Sequence, residues 1–309
     1  MSEPSEPRGV LVIAPAPFPM RSPLSTSACT DTREATALLS RTRHLLLDLD
    51  GTLILQDETV EGATELLSRF DGRFAIVSNN STHTAASMAL RLRRMGLRVP
   101  SARIVLAGET AVRLVCREFP GARVMLIGSQ AIRRFALAQG CRLAETEVDV
   151  VLLALDMRFS YQRLSAIVHA LQQGARLVVA NGDLTHPGPN GTRVPETGSL
   201  LASVRAASGT DPLLVVGKPA PLLFEEGLRQ LGAAPDDVVV LGDNPATDGD
   251  GAARLGLPCI LVGPVGGATP TLAALLDRLT SPSVSVRPHG AAGYLAAEDA
   301  AQAGCVNSA

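Results

Sequence analysis

The sequence predicts an α/β protein with a doubly wound, Rossmann-like parallel sheet as its core and an inserted α/β cap domain. Short runs of Val, Ile and Leu alternate with segments of helical spacing along the 309 residues. Strands that are buried on both faces of a parallel sheet have such continuous apolar runs. Four of these runs end in polar side chains that could do chemistry, and a long span in the middle of the chain has few such endings. The first pattern predicts the parallel sheet, and the second predicts the insertion.

Eight apolar runs are predicted strands. In chain order they are HLLLDLD (44–50), RFAIVSNN (73–80), RVMLIG (123–128), DVVLLALD (149–156), RLVVAN (176–181), PLLVVGK (212–218), DVVVLGD (237–243) and PCILVG (258–263). Helical spacing is clearest in ASMALRLRRMG (86–96), where Met88, Leu92 and Met95 share one face and Gly96 ends the helix. AIRRFALAQG (131–140) ends in the same way at Gly140.

The polar strand ends also divide the chain into domains. We expect a core domain built from 29–82 and 212–275, completed as one sheet, and a cap domain inserted at 83–211. Residues 1–28 are rich in Pro and Ser and are expected to form a disordered extension. Residues 276–309 lose periodicity and are expected to form a mostly flexible tail.

The composition of the chain argues against several classes of partner. A net charge of −2 gives no basic field for nucleic acid, and 3% aromatic residues without Trp argue against base stacking. No apolar run reaches the roughly 18 residues of a membrane span. The five cysteines are an odd number without CxxC spacing, which predicts a reducing, cytoplasmic location. A small ligand is therefore the expected partner, with no nucleic acid and no membrane.

Acidic residues at two strand ends predict a metal site. Asp48 and Asp50 follow three leucines, and Asp243 ends another apolar strand. Because burying carboxylates is costly without a cation, we expect Mg²⁺ there, which accepts a few protein oxygens beside water and phosphate. The Asp48 and Asp243 carboxylates and the Asp50 main-chain carbonyl are the predicted ligands. Asp248, five residues beyond Asp243, is expected to orient ligand waters or Lys218.

Phosphate-binding groups follow the other two polar strand ends. Ser78, Asn79 and Asn80 offer a hydroxyl, amides and main-chain N–H groups at the start of a predicted helix, where phosphate binds well. Lys218 lies between Gly217 and Pro219 and supplies a positive charge for phosphate oxygens. Since ligands bind beyond the carboxyl ends of parallel strands, all four groups are expected to meet in one crevice.

Four motifs now stand in order, each after an apolar strand: DLDGT, SNNS, GKP and GDNPATD. They resemble the four motifs of the haloacid dehalogenase-like (HAD) hydrolase superfamily. The insertion between the second and third motifs resembles the α/β cap of its NagD-like subfamily IIA, which includes p-nitrophenyl phosphatases and pyridoxal phosphate phosphatase. ANGDLTHPGPNG and ETGSLLASVRAASG add to this resemblance, which covers about 44–265.

The resemblance implies a phosphatase that acts on a small phosphorylated metabolite through an aspartyl-phosphate intermediate. It implies that Asp48 is the nucleophile and that Asp50 protonates the leaving alcohol and later activates water. It also places Asn181, Asp183 and His186 of the cap near the leaving group, and it implies a homodimer formed through the caps.

The same residues are compatible with two other functions. A phosphotransferase or mutase would need a cap that excludes water more completely. A non-catalytic protein that binds a phosphorylated metabolite would have no need of Asp50 as a proton shuttle, and the presence of all four motifs therefore favours an enzyme.

Overall fold

The computed structural model of the chain describes residues 28–263 and 269–280. Of the expected N-terminal extension only Ala28 belongs to these residues, and the expected tail lies outside them beyond Thr280. In the described part of the chain, no helix is long and apolar enough to cross a membrane.

The described residues form fourteen strands. They are β1 (His44–Leu47), β2 (Ile54–Leu55), β3 (Glu58–Thr59), β4 (Phe74–Ser78), β5 (Ile104–Leu106), β6 (Arg123–Ile127), β7 (Arg142–Leu143), β8 (Val150–Leu153), β9 (Arg176–Val179), β10 (Thr185–Pro187), β11 (Arg193–Pro195), β12 (Leu214–Val215), β13 (Val238–Gly242) and β14 (Cys259–Leu261). Each of the eight predicted strands is present. The additional strands are two or three residues long, too short to leave a periodic signal in the sequence.

The same residues form ten α-helices. They are α1 (Thr32–Arg41), α2 (Ala63–Arg69), α3 (Ala85–Arg94), α4 (Ala107–Glu118), α5 (Gln130–Ala138), α6 (Tyr161–Gln172), α7 (Thr197–Ser208), α8 (Leu222–Leu231), α9 (Asp250–Arg254) and α10 (Leu272–Thr280). Both predicted helices are present, as α3 and α5. A single turn of π-helix, Pro245–Gly249, precedes α9. Such turns are common at functional sites.

Two five-stranded sheets carry the fold. The first has the spatial order β14-β13-β1-β4-β5, and the second has the order β12-β9-β8-β6-β7. All pairings within these two sheets are parallel, which confirms the predicted α/β class. Two short antiparallel hairpins, β2–β3 and β10–β11, project from the loops after β1 and β9.

The sheets differ from the predicted division of the chain at three places. Strand β5, which lies inside the predicted cap span 83–211, pairs with β4 of the first sheet. Strand β12, which lies inside the predicted core segment 212–275, pairs with β9 of the second sheet. Helix α10 continues to Thr280, past the predicted end of the core. We therefore propose that the insertion spans about 107–216.

Apolar side chains fill both faces of the first sheet. Helices α1, α2, α3 and α10 cover one face and bury side chains such as Leu39, Leu66 and Met88. On the other face one apolar cluster extends from β1, β4 and β13 through α4 and α8 to β6, β8 and β9 of the second sheet. The two sheets thus share buried contacts, and this continuity fixes the cap strands relative to the core strands.

The cysteines show one feature that the sequence did not predict. Cys116 at the end of α4 and Cys141 just before β7 form a disulfide, although 25 residues separate them. Cys29 and Cys259 are free and buried, and Cys305 lies outside the described residues. No local spacing could reveal the pair, because the packing of α4 against α5, the helix that precedes Cys141, brings the two thiols together.

Candidate active site

Asp48 follows β1 directly and is only 7% exposed. Its main-chain N–H donates to the carbonyl of Leu241 at 2.9 Å, which extends the pairing of β1 with β13. Its Oδ1 accepts a hydrogen bond from Lys218 Nζ at 2.5 Å, and its Oδ2 accepts one from the Thr52 hydroxyl at 3.2 Å. Both oxygens of this buried carboxylate therefore have a partner in the described residues.

Lys218 is the only lysine of the chain, whose other 27 long cationic side chains are arginines. Its Nζ also donates to Asp248 Oδ1 at 2.7 Å. Its main-chain N–H donates to Asn79 Oδ1 at 2.7 Å, which holds the segment that follows β12 against the loop after β4. Burial alone would lower the pKa of Lys218, but the charges of Asp248 and Asp48 outweigh burial and raise it. The ammonium is thus permanently charged.

Asp243 and Asp248 follow β13. The Asp243 carboxylate lies against the Cα of Gly51, which adopts a φ of +94°. Burial, and then the charge of Asp248, raises the pKa of Asp243 to about 6. Asp248 is buried, and its Oδ2 accepts the main-chain N–H of Asn244 at 3.2 Å. Asp248 therefore contacts Lys218 and the loop through its two oxygens, whereas the Asp243 carboxylate lies beside that of Asp48.

The three carboxylates of Asp48, Asp243 and Asp248 form an acidic cluster. One oxygen of each lies within 4.8 Å of one from each of the others. Burial, and then the charges of Asp248 and Asp243, raises the pKa of Asp48 despite the opposing effect of Lys218. Three carboxylates, of which those of Asp48 and Asp248 are buried, leave an excess of negative charge around one ammonium, and their hard oxygen atoms are ligands that Mg²⁺ accepts. The donor set therefore fits magnesium.

Replacing Gly51 by Ala is expected to disturb this cluster. A Cβ at this position would collide with the Asp243 carboxylate. We expect the Mg²⁺ concentration for half-maximal activity to rise 10–100-fold and turnover to fall on the order of 100-fold, measured by magnesium titration of phosphate release. Gly96→Ala is the matched control, because Gly96 has a similar φ of +90° but open space around it. Equal magnesium requirements in both variants would contradict the contact argument.

The loop after β4 departs from its predicted form. Helix α3 begins at Ala85, not at Ser78, and the carboxylate of Glu109 accepts the N–H of Ala85 at 3.0 Å. The Ser78 hydroxyl accepts the N–H of Asn80 at 3.1 Å, and Asn80 Oδ1 accepts the N–H groups of the next turn, at residues 82 and 83. These side chains organise a turn beside Asp48. The groups that could bind phosphate here belong to a turn and not to a helix N-terminus. Polar side chains after the strand form hydrogen bonds with the nearby main chain, and these bonds stabilise the turn.

Asn79, Asn181 and Asp183 join this loop to the cap. Asn79 Nδ2 donates to both oxygens of Asp183 at 3.2 and 3.0 Å, and to the Lys218 carbonyl at 3.1 Å. Asn181 is buried, and its Nδ2 donates to the Asn79 carbonyl at 2.8 Å. Burial raises the pKa of Asp183. The structure thus brings these predicted residues together as a bridge between the two sheets.

Two side chains near Asp50 were not among the predicted site residues, namely those of Arg91 and His83. Burial raises the pKa of Asp50, while the nearby charges of Arg91, Lys218, His186 and His83 oppose that rise. Arg91 also donates to the Gln56 carbonyl at 2.7 Å and pairs with Asp57. The only local signal for Arg91 was its place in an arginine-rich helix face, which is indistinguishable from a solvated one.

The β10–β11 hairpin of the cap contacts the core near Asp50. Gln56 Nε2 donates to the Gly188 carbonyl at 3.2 Å. His186 on β10 lies with its Nδ1 3.0 Å from Oε1 of Glu196, another residue that the sequence reading missed. The one sequence signal for Glu196 is its position directly before the TGSLL segment of α7.

Comparison with known proteins identifies the family. Residues 45–142 match a family model described as haloacid dehalogenase-like hydrolase, and residues 215–276 match one described as HAD-hydrolase-like. Human chronophin is 34% identical over 243 residues, which is 72% of this chain and 82% of chronophin. The chain belongs to the haloacid dehalogenase-like hydrolase family. The resemblance of the four motifs, and the predicted fold, are confirmed.

Two further HAD proteins are similar over most of the chain. The acid sugar phosphatase of Staphylococcus saprophyticus is 30% identical over 66% of this chain and 79% of its own length. The glycerol phosphate phosphatase of Mycobacterium tuberculosis, solved in complex with magnesium, is 31% identical with a TM-score of 0.68, covering 76% of each chain.

Proposed function

We propose that this HAD protein is a Mg²⁺-dependent phosphatase that hydrolyses a small phosphorylated metabolite. The observation that carries the proposal is the buried Asp48 carboxylate, which touches Lys218 Nζ within an acidic cluster that fits magnesium. The names of the similar acid sugar and glycerol phosphate phosphatases support both the reaction and the substrate class.

In the proposed reaction Asp48 attacks the phosphorus atom, and the bond from phosphorus to the leaving oxygen breaks. Asp50 gives its proton to that oxygen, and the raised pKa of its carboxyl group supports this role. Water then attacks the phosphorus atom of the aspartyl phosphate and gives one proton to Asp50, the bond from phosphorus to the Asp48 oxygen breaks, and inorganic phosphate leaves. Lys218 neutralises charge on the transferring oxygens.

Magnesium would be held by the Asp48 and Asp243 carboxylates and the Asp50 carbonyl, and when bound it neutralises charge on the phosphoryl group. Asp248 would position Lys218, which it contacts at 2.7 Å. Ser78 and Asn79 would support phosphate binding from the loop after β4. Asn80, Asn181, Asp183 and His186 would shape the space for the leaving group.

Assembly and location complete the proposal. We retain a homodimer through the caps, as the family resemblance implies. A cytoplasmic location is retained with the condition that the Cys116–Cys141 disulfide is open there, because the cytosol keeps most thiols reduced.

The test is phosphate release from a panel of phosphomonoesters by the full chain, with Mg²⁺ or with EDTA. The panel holds glycerol 3-phosphate, dihydroxyacetone phosphate, phosphoglycolate, pyridoxal phosphate, nucleoside monophosphates and p-nitrophenyl phosphate. We expect release that requires Mg²⁺, with different rates across the panel because the cap contacts the leaving group. Folded protein that binds these compounds without releasing phosphate would instead favour a binding protein. Transfer of the phosphoryl group to an added alcohol in place of water would favour a phosphotransferase.

A further inference from the structure

His186 is held by a single acidic partner. Its Nδ1 lies 3.0 Å from Oε1 of Glu196. The β10–β11 hairpin fixes this contact, because His186 pairs with Val194 and the Glu196 N–H donates to the Leu184 carbonyl at 2.9 Å just beyond the ladder. The carboxylate is therefore placed by main-chain bonds on the same side of the hairpin as the imidazole.

Glu196 is anchored from its other oxygen. Oε2 accepts the N–H of Thr197 at 3.1 Å, where Glu196 caps α7. The buried Thr197 hydroxyl in turn lies within hydrogen-bond distance of Asn181 Nδ2 and of the Ser81 hydroxyl in the core loop, at 3.3 and 3.2 Å. The Glu196 side chain is 19% exposed, whereas that of His186 is 45% exposed. A fixed carboxylate thus holds a ring that is open to ligands.

The contact determines which nitrogen of His186 can meet a substrate. A carboxylate oxygen accepts hydrogen bonds, so Nδ1 carries a hydrogen and the Nε2 of the neutral ring is an acceptor. Nε2 has no partner among the described residues. His186 also lies close enough to Asp50 to affect the pKa of that carboxyl group whenever the ring is protonated. The free nitrogen is therefore available to a leaving group that binds beside Asp50.

We propose that Glu196 is a positioning residue that holds His186 so that Nε2 accepts a hydrogen bond from a hydroxyl group of the leaving alcohol. The preferred substrates are then phosphomonoesters whose leaving alcohol carries a further hydroxyl group. The inference rests on the proposed phosphatase function.

The experiment compares glycerol 3-phosphate, whose leaving group carries hydroxyls, with p-nitrophenyl phosphate, whose leaving group has none. We expect Glu196→Ala to raise KM for glycerol 3-phosphate about fivefold to tenfold, the value of one hydrogen bond, with little change in kcat. KM for p-nitrophenyl phosphate should stay within about twofold, since no hydrogen bond to Nε2 is lost there. Glu196→Gln should recover part of the loss, because its amide can still contact the ring.

A double-mutant cycle separates positioning from a direct role. His186→Ala should match Glu196→Ala, and Glu196→Ala should add nothing in the His186→Ala background. Glu61→Ala, at an exposed position of the core, is the control for loss of a glutamate. Independent losses in the double variant, or equal losses on both substrates, would overturn the proposal.

The wild type distinguishes this proposal from the proposed function. Hydrolysis of p-nitrophenyl phosphate without hydrolysis of any hydroxyl-bearing compound of the panel would overturn only the role of Glu196. Hydrolysis of neither would count against the phosphatase itself.

Discussion

Asp48→Asn is expected to lower magnesium-dependent phosphate release on the order of 10⁴-fold, because an amide cannot form the covalent phosphoryl intermediate. The substitution keeps the shape of the side chain. Its oxygen can still accept the hydrogen bond from Lys218 Nζ, which also retains Asp248 as a partner. The variant should therefore fold, and its thermal unfolding should show a cooperative transition. Steady-state phosphate release with p-nitrophenyl phosphate is the measurement.

Asp71→Asn is the matched control for this prediction, since Asp71 is an exposed residue in a turn after α2. It should retain wild-type activity. Intact-mass measurement after rapid acid quenching should show a phosphorylated chain only where Asp48 is present. A folded Asp48→Asn variant with activity near that of the wild type would exclude Asp48 as the nucleophile.

The core strands and the acidic residues were predictable because burial leaves a strong local pattern. Three leucines that run into Asp48 indicate a buried strand with a carboxylate at its end, and the pairing of β1 with β4 and β13 follows from that burial. The uniqueness of Lys218 was also open to sequence reading. A chain that uses Arg at 27 other positions retains Lys where one compact ammonium must touch two carboxylates.

The parts that could not be predicted depend on contacts between distant segments. The run PLLVVGK looks like a core strand, yet β12 has only two paired residues and joins the cap sheet through β9. Lys218 still reaches Asp48, because Asn79 holds both its main-chain N–H and its carbonyl. The helix start expected at 78–80 was wrong for a different reason, since α3 begins at Ala85. Asn80 caps a turn first, and a polar residue after a strand serves a turn or a helix equally well.

Lys218→Met is expected to have the largest effect on stability. It removes the ammonium that lies 2.5 Å from Asp48 and 2.7 Å from Asp248, and it leaves two buried carboxylates facing each other. Breaking one partner out of a buried ion pair costs about 3–5 kcal/mol, so we expect the free energy of unfolding to fall by that amount at neutral pH. Urea unfolding of the metal-free protein is the measurement, and phosphate release should be lost as well.

Two companion variants identify the cause of that loss. Lys218→Met combined with Asp248→Asn should recover part of the stability without recovering activity, because one of the unpaired charges is gone. Lys218→Arg keeps the charge and should be more stable than Lys218→Met, but its planar guanidinium cannot match a point contact with two carboxylates, so activity should remain low. Saturating Mg²⁺ should stabilise Lys218→Met more than the wild type, since a cation among the carboxylates then replaces part of the missing charge.

If Lys218→Met lost less than about 1 kcal/mol, the cost of leaving a buried carboxylate unpaired, the buried charges would have to be neutralised by protons instead of by Lys218. Stability would then depend on pH across the range in which Asp48 titrates.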